Sequence, residues 1–399
     1  MKIDLDTQVN RWDSNSVKWD LYPHFLGDKK KLIADKKDVL PMWVADMDFQ
    51  SPRQVIDAVK TRAEHGIFGY TDRTGSYDQA IIAWMKSRYG WDIQPETICP
   101  VIGVVPALHL IVREFTRPGD KIVIQPPVYP PFFDIVRANK RDLVMNPLIH
   151  EKGSYTMNLD ELAQQARDPQ VKMVILCSPH NPVGRVWRRD ELTRFGEICL
   201  ANDVLVVTDE IHGDLVLKGH RFLPFAGISD EFAHNSLTCT APSKTFNIAG
   251  LMIANTIIAN PEYRTRFNRM ARDIGLFGIN TLGLTACENA YRYGDEWLSQ
   301  VMGCIEDNFN FVHDFLKDKV PAIQLVRAEG TYLAWLDCRD LPIDAKDLDR
   351  FMLEKARLFL NSGPSFGPGG DGFVRMNLAC PPSIVEDAMY RIQTAVKSV

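Results

Sequence analysis

The sequence has no CxxC pair. Its eight cysteines, Cys99, Cys177, Cys199, Cys239, Cys287, Cys304, Cys338 and Cys380, stand far apart in a 399-residue chain. Such spacing predicts isolated reduced thiols and excludes a disulfide framework. Nor does one charge dominate: 46 basic against 51 acidic residues leave a net charge of −5. With Lys and Arg scattered, no large nucleic-acid footprint is expected. The 25 glycines and 24 prolines are too few for a collagen-like or low-complexity chain. The uncharged stretch from Thr97 to Val112 is too short for a bilayer and is broken by Pro100, Gly103, Pro106 and His109. The start, Met1-Lys2-Ile3-Asp4-Leu5-Asp6, lacks the apolar core of a signal peptide. These absences predict a soluble cytoplasmic protein with no membrane or nucleic-acid partner. The chain is long enough for two or three domains and a large core.

What is present is alternation. Lys121-Ile122-Val123-Ile124-Gln125, Val171 to Cys177 and Val204-Leu205-Val206-Val207-Thr208 are short β-rich runs. Being apolar on both faces, they predict parallel strands covered by helices. Between the second and third, Leu192, Phe195, Ile198 and Cys199 form a helical stripe. This βαβ order predicts an α/β domain. Past about residue 290 the pattern changes. Leu348, Phe351, Met352 and Lys355 read as a helix, 331–337 as a half-buried strand, and 372–377 as another. A second, smaller α+β domain is expected there.

Polar clusters directly follow the three strands: Gln125-Pro126-Pro127-Val128-Tyr129, Ser178-Pro179-His180-Asn181-Pro182-Val183-Gly184, and Asp209-Glu210-Ile211-His212-Gly213. Open α/β sheets bind ligands at the carboxyl ends of their strands, so the clusters point to one site. Lys244 follows a further candidate strand, Ser236-Leu237-Thr238-Cys239-Thr240, among small and hydroxyl residues. Taken singly, Lys244 reads as a surface lysine and Asp209 as a helix cap. Taken as a pair they suit pyridoxal phosphate, which needs an imine-forming lysine and a carboxylate facing its pyridine nitrogen.

The ordered set Asn181-Pro182-Val183-Gly184, Asp209, Ser243-Lys244 thirty-five residues later, and Arg375-Met376-Asn377 resembles the fold-type I pyridoxal-phosphate enzymes, the aspartate aminotransferase superfamily. Trp43-Val44-Ala45-Asp46-Met47-Asp48-Phe49, His65-Gly66-Ile67-Phe68-Gly69-Tyr70, Asp209-Glu210-Ile211-His212, Ser243-Lys244-Thr245-Phe246-Asn247 and the stretch from Arg11-Trp12-Asp13 to Trp19-Asp20 are similar to the MalY/PatB group of cystathionine β-lyase-like carbon–sulfur lyases. The likeness spans nearly the whole chain.

The resemblance implies an aspartate-aminotransferase-like α/β fold with a mostly parallel mixed sheet. It implies a large domain over 45–290 and a small one built from 1–44 and 291–399. Lys244 would hold the cofactor and move the Cα proton. Asp209 would face the ring nitrogen, Asn181 and His212 the ring oxygen, and Tyr129 the ring face. Gly103, Val104 and Val105, at a helix start, would bind the phosphate with backbone N–H groups. Ser243 would assist, and Tyr70 would reach the phosphate of a partner subunit, implying a homodimer with shared sites. Arg375 would grip the substrate carboxylate, with Asn181 and Ala45 also at the substrate.

Three positions depart from the superfamily pattern. His212 stands where many aminotransferases have Tyr, a choice typical of the lyase group. Ala241 replaces a phosphate-binding Ser, which leaves Ser243 or Thr240 to substitute. Met252 replaces an Arg. The loop Gly275-Leu276-Phe277-Gly278-Ile279-Asn280-Thr281 has no Arg for a second carboxylate, although Arg272 lies nearby. The glycines of 362–370 are no dinucleotide fingerprint and resemble the loop that positions Arg375. His212 and His220 lack zinc-ligand spacing. The expected function is β-elimination from cystathionine or another cysteine S-conjugate, giving pyruvate, ammonia and a thiol. An aminotransferase is the alternative within the fold, and a regulatory binding protein the alternative outside enzymology.

Overall fold

The computed structural model describes residues 3–276 and 278–399; Phe277 of the loop noted above lies outside them. Seven strands form the main sheet: β1 (Ile98–Val101), β2 (Lys121–Ile124), β3 (Asp142–Met145), β4 (Val171–Cys177), β5 (Leu205–Asp209), β6 (Ser236–Thr240) and β7 (Ala254–Ile257). Their order is β1-β7-β6-β5-β4-β2-β3. β7 pairs antiparallel with both its neighbours, and every other pairing is parallel. The sheet is therefore mixed but mostly parallel, as expected.

Apart from the edge strand β3, its strands are largely buried on both faces because helices cover both. Residues of β4 and β5 alternate between two apolar clusters. Met173, Ile175 and Val207 pack with the helix Val104–Phe115, and Val174, Leu176 and Val206 with the helix Arg189–Ala201. The stripe Leu192, Phe195, Cys199 is the buried face of that second helix.

A four-stranded antiparallel sheet follows: β8 (Gln324–Leu325), β9 (Leu333–Asp337), β10 (Asn361–Ser362) and β11 (Phe373–Asn377), in the order β8-β9-β11-β10. The expected half-buried strand at 331–337 is corrected twice. It starts at Leu333, because Thr331 has φ +67°, and its first four residues are buried, so both faces are covered. The helices Asp295–Lys319 and Pro382–Val396 pack beside this sheet in one cluster with Leu333, Leu336, Val374 and Met376. The helix Thr281–Tyr293 runs past residue 290 and ends at Gly294. Among the described residues no helix is long and apolar enough to cross a membrane, and all eight cysteines are free.

Candidate active site

The carboxyl ends of β1, β2, β4, β5 and β6 converge on a cavity of about 380 Å³. Each brings a residue named from sequence: Gly103 to Val105 after β1, Tyr129 after β2, Asn181 after β4, Asp209 as the last residue of β5, and Ser243 and Lys244 after β6. Ala45, His212 and Arg375 complete the set. Tyr70 stands apart, fully exposed on the single chain between the exposed Ile67 and Phe68 and the rest of that loop. Of the two candidate hydroxyls, Ser243 lines the cavity and Thr240 does not. Met252 is half exposed, also away from the cavity lining.

Local sequence explains the placements. Asp209 ends a buried strand and pairs across the sheet with Cys177 and Cys239, so low-polarity thiols flank its carboxylate. Gly184 has φ +72°, and a Cβ there would press on Ala328 at 3.0 Å. Only glycine turns the chain so tightly after Asn181. Gly103 begins the helix Val104–Phe115 without a side-chain cap. The first N–H groups of a helix have no intrahelical partner, and here they lie at the cavity wall.

The charges are poorly matched. The Asp209 carboxylate is buried and accepts the Ile211 N–H at 3.2 Å. Burial pushes its pKa up to about 6, against the pull of that N–H and of Lys244. Burial also pushes Lys244 down to about 8; Arg375 adds to this, while Asp46 and Asp209 oppose it. The Lys244 Nζ donates to the Ala45 carbonyl at 2.7 Å. His212 falls to about 3 through burial and the charges of Lys244 and Arg375, so it is neutral, and its Nδ1 has no partner. Burial raises the Tyr129 hydroxyl, with Asp209 adding and Arg375 opposing.

Arg375 lies in β11, between Trp335 of β9 and Asn361 of β10. It donates to Asn181 Oδ1 (2.9 Å), to the Trp43 carbonyl (2.8 Å) and to Asn361 Oδ1, over the Phe366 ring at 5.0 Å. Its Nε is buried without a partner. Burial lowers its pKa to about 10. Phe366 comes from the glycine-rich loop expected to position Arg375.

The sequence reading missed Asn361, Trp43, Ile211 and Cys177 as cavity residues. Asn361 directly precedes the 362–370 loop, the one local signal that pointed to it.

The site as a whole combines an amine, a buried carboxylate, an arginine and a helix N-terminus. A carboxylate with one amide donor and an orphaned imidazole nitrogen fit a ring carrying a protonated nitrogen and an oxygen. This is the donor set of a pyridoxal-phosphate enzyme. Residues 37–392 match the model of the aminotransferase class I and II family, and the chain belongs to that family. Among curated relatives it is 42% identical to cystathionine β-lyase PatB of Bacillus subtilis, over 99% of this chain and all of that one. It is 29% identical to protein MalY of Escherichia coli, over the full length of both. Among solved structures, cystalysin of Treponema denticola, which contains pyridoxal 5′-phosphate, superposes with TM-score 0.95 at 40% identity over both chains entire.

Proposed function

We propose that this chain is a pyridoxal-phosphate-dependent carbon–sulfur β-lyase acting on cystathionine or a related cysteine S-conjugate. The carrying observation is that Lys244, Asp209 and Arg375 line one cavity, where Asp209 accepts one backbone N–H and Arg375 keeps an unpartnered Nε. Relatives named cystathionine β-lyase support the choice of reaction.

Lys244 would hold pyridoxal phosphate covalently, Asp209 would face its ring nitrogen, and Tyr129 would flank the ring. Asn181 and His212 would donate to the ring oxygen. The Asn181 carbonyl oxygen already accepts from Arg375, so its NH₂ is the end that donates. Gly103, Val104, Val105 and Ser243 would hold the phosphate. When bound, the cofactor supplies an electron-withdrawing ring that stabilises negative charge at the substrate Cα.

The residues do the rest. Arg375 binds the α-carboxylate through the N–H groups its protein partners leave free, the unpartnered Nε among them. Asn181, Asn361 and the Trp43 carbonyl hold the guanidinium plane. Burial keeps a fraction of Lys244 as free amine near neutral pH, so its Nζ can take the Cα proton. The electron pair of the broken Cα–H bond then forms the Cα–Cβ double bond as the β-thiolate leaves with the Cβ–S pair, and hydrolysis of the remaining enamine gives pyruvate and ammonia. Among the described residues that line the cavity, Arg375 is the one arginine, which disfavours a dicarboxylate substrate.

The reading also takes the enzyme as a cytoplasmic homodimer, with Tyr70 reaching the partner's phosphate site. The large domain would span 45–290 and the small one 1–44 and 291–399. The exposure of Ile67, Phe68 and Tyr70 on one loop supports an intersubunit role.

The test is to incubate the holoenzyme with cystathionine and no keto acid. A lyase releases pyruvate and free thiol. No release, with amino transfer to an added keto acid, would overturn the reading.

A further inference from the structure

We infer that Tyr332 is a positioning residue for Lys244, acting through the Ala45 carbonyl that both groups share as an acceptor. The inference rests on the reading of Lys244 as the proton-moving amine.

The Tyr332 hydroxyl donates to Ala45 O at 2.9 Å, and the Lys244 Nζ donates to the same oxygen at 2.7 Å. A carbonyl oxygen has two lone pairs, so it accepts both. Tyr332 is fully buried, and its ring meets His212 edge-on at 5.9 Å. The residue before it, Thr331, adopts φ +67°, an uncommon conformation for a β-branched residue. That backbone is held by the Thr331 N–H on Leu215 O and by its Oγ1 accepting the Leu333 N–H. The ring of Tyr332 therefore follows a backbone turn that is fixed at both its N–H and its side chain.

The strap that carries Ala45 explains why aim matters. Residues 43–47 lie outside any helix or strand, so their carbonyls need side-chain partners. Each has one. Arg375 holds Trp43 O, Asn377 holds Val44 O and Asp46 O, and Arg11 and Asn247 hold Met47 O. Ala45 O alone is shared with a group that must change partners during the reaction. When Lys244 is engaged elsewhere, Tyr332 keeps the oxygen in place. When Nζ has taken the proton, the oxygen waits as an acceptor for the ammonium, and an acceptor favours the charged form. The other charged groups facing Lys244 are Asp46, Asp209 and Arg375; the nearby His212 is neutral.

The test is Tyr332→Phe in the holoenzyme. It removes one hydroxyl from a partly buried carbonyl, which keeps Lys244 as its donor whenever the amine is free. The expected kcat for pyruvate release falls about tenfold with KM within about twofold. The pH midpoint of the cofactor's visible absorption band moves by about half a unit or more while Tm stays put. Unchanged kcat, or a joint change of kcat and KM with a lowered Tm and an unmoved band, would overturn the inference. Lys244→Ala separates the two levels. If Lys244→Ala still eliminates, the functional reading fails. If Lys244→Ala is inactive and Tyr332→Phe behaves as wild type, only the role of Tyr332 fails.

Discussion

Two buried charge clusters lie on either side of the strap at 43–49, and they obey opposite rules. On the N-terminal side every charge is matched. Lys18, almost fully buried, meets Asp48 at 2.6 Å, and Arg11 meets Asp46 at 2.7 Å and Asp48 at 2.8 Å. The Trp19 indole adds a further donor to Asp48. Burial pushes the Asp48 pKa up, but Lys18, Arg11 and Trp19 outweigh it and hold the carboxylate below its usual range. On the cavity side, Asp209, Lys244 and His212 all shift toward their neutral forms. Asp48 and Asp209 are alike in burial but opposite in pairing, which marks one cluster as structure and the other as chemistry, because perturbed and under-compensated groups gather at functional sites.

The largest expected effect breaks the cavity side of this contrast. Lys244→Ala should lower pyruvate release by roughly 10³-fold or more, since it removes the positioned base. The visible absorption of the bound cofactor should vanish with it. Thermal stability should hold or rise, because a buried, partly unpaired amine has gone. A variant that melts far below wild type would instead place Lys244 with the structural charges.

The second effect strikes the matched side. Lys18→Met leaves Asp48 buried with Arg11 and Trp19 but without its nearest cation. Removing one partner of a buried pair costs about 3–5 kcal/mol, and the retained contacts place the expectation at the lower end. Denaturant unfolding of the apo-protein measures it. A loss below about 1 kcal/mol would show that the pair behaves like a surface ion pair.

The same contrast governs what was legible in the sequence. The strands β2, β4 and β5 could be read because burial on both faces leaves continuous apolar runs at 122–124, 173–177 and 204–207. Asp209 and Lys244 stood out because polar residues directly follow such runs. The role of residues 43–49 was legible only as a resemblance. The strap has no period, and the carbonyls of 43–46 are held by Arg375, Asn377 and Tyr332 from more than 280 positions away, contacts with no local signature. Asn361 was missed although it borders the 362–370 loop, because its amide matters only where β10 pairs with β11 beside Arg375. The start of β9 was misplaced because the left-handed turn at Thr331 contradicts what a β-branched residue ordinarily predicts.

The smallest effect is the one whose sign separates the two clusters. Burial raises the Asp209 pKa to about 6, from an ordinary value of 3.8. Between those values the folded chain binds the proton that the unfolded chain releases. This contribution to stability therefore falls as pH rises through the window and is lost in full above about 6. Above that pH the folded apo-protein holds a carboxylate it would rather protonate, at a cost of up to about 3 kcal/mol. Asp209→Asn keeps an acceptor for the Ile211 N–H and drops the charge. The apo-variant should be more stable than wild type at pH 7.5 by about 2–3 kcal/mol. The advantage should shrink toward zero near pH 4, as denaturant unfolding across the range would read. Elimination activity should fall in the same variant, because an amide cannot hold a ring nitrogen in its protonated form. At Asp48 the sign reverses: its pKa is lowered, so its contribution is present at neutral pH and lost as pH falls, and Asp48→Asn should destabilise at pH 7.5. If Asp209→Asn also destabilised at that pH, Asp209 would belong with the matched charges, and the division between the two sides of the strap would collapse.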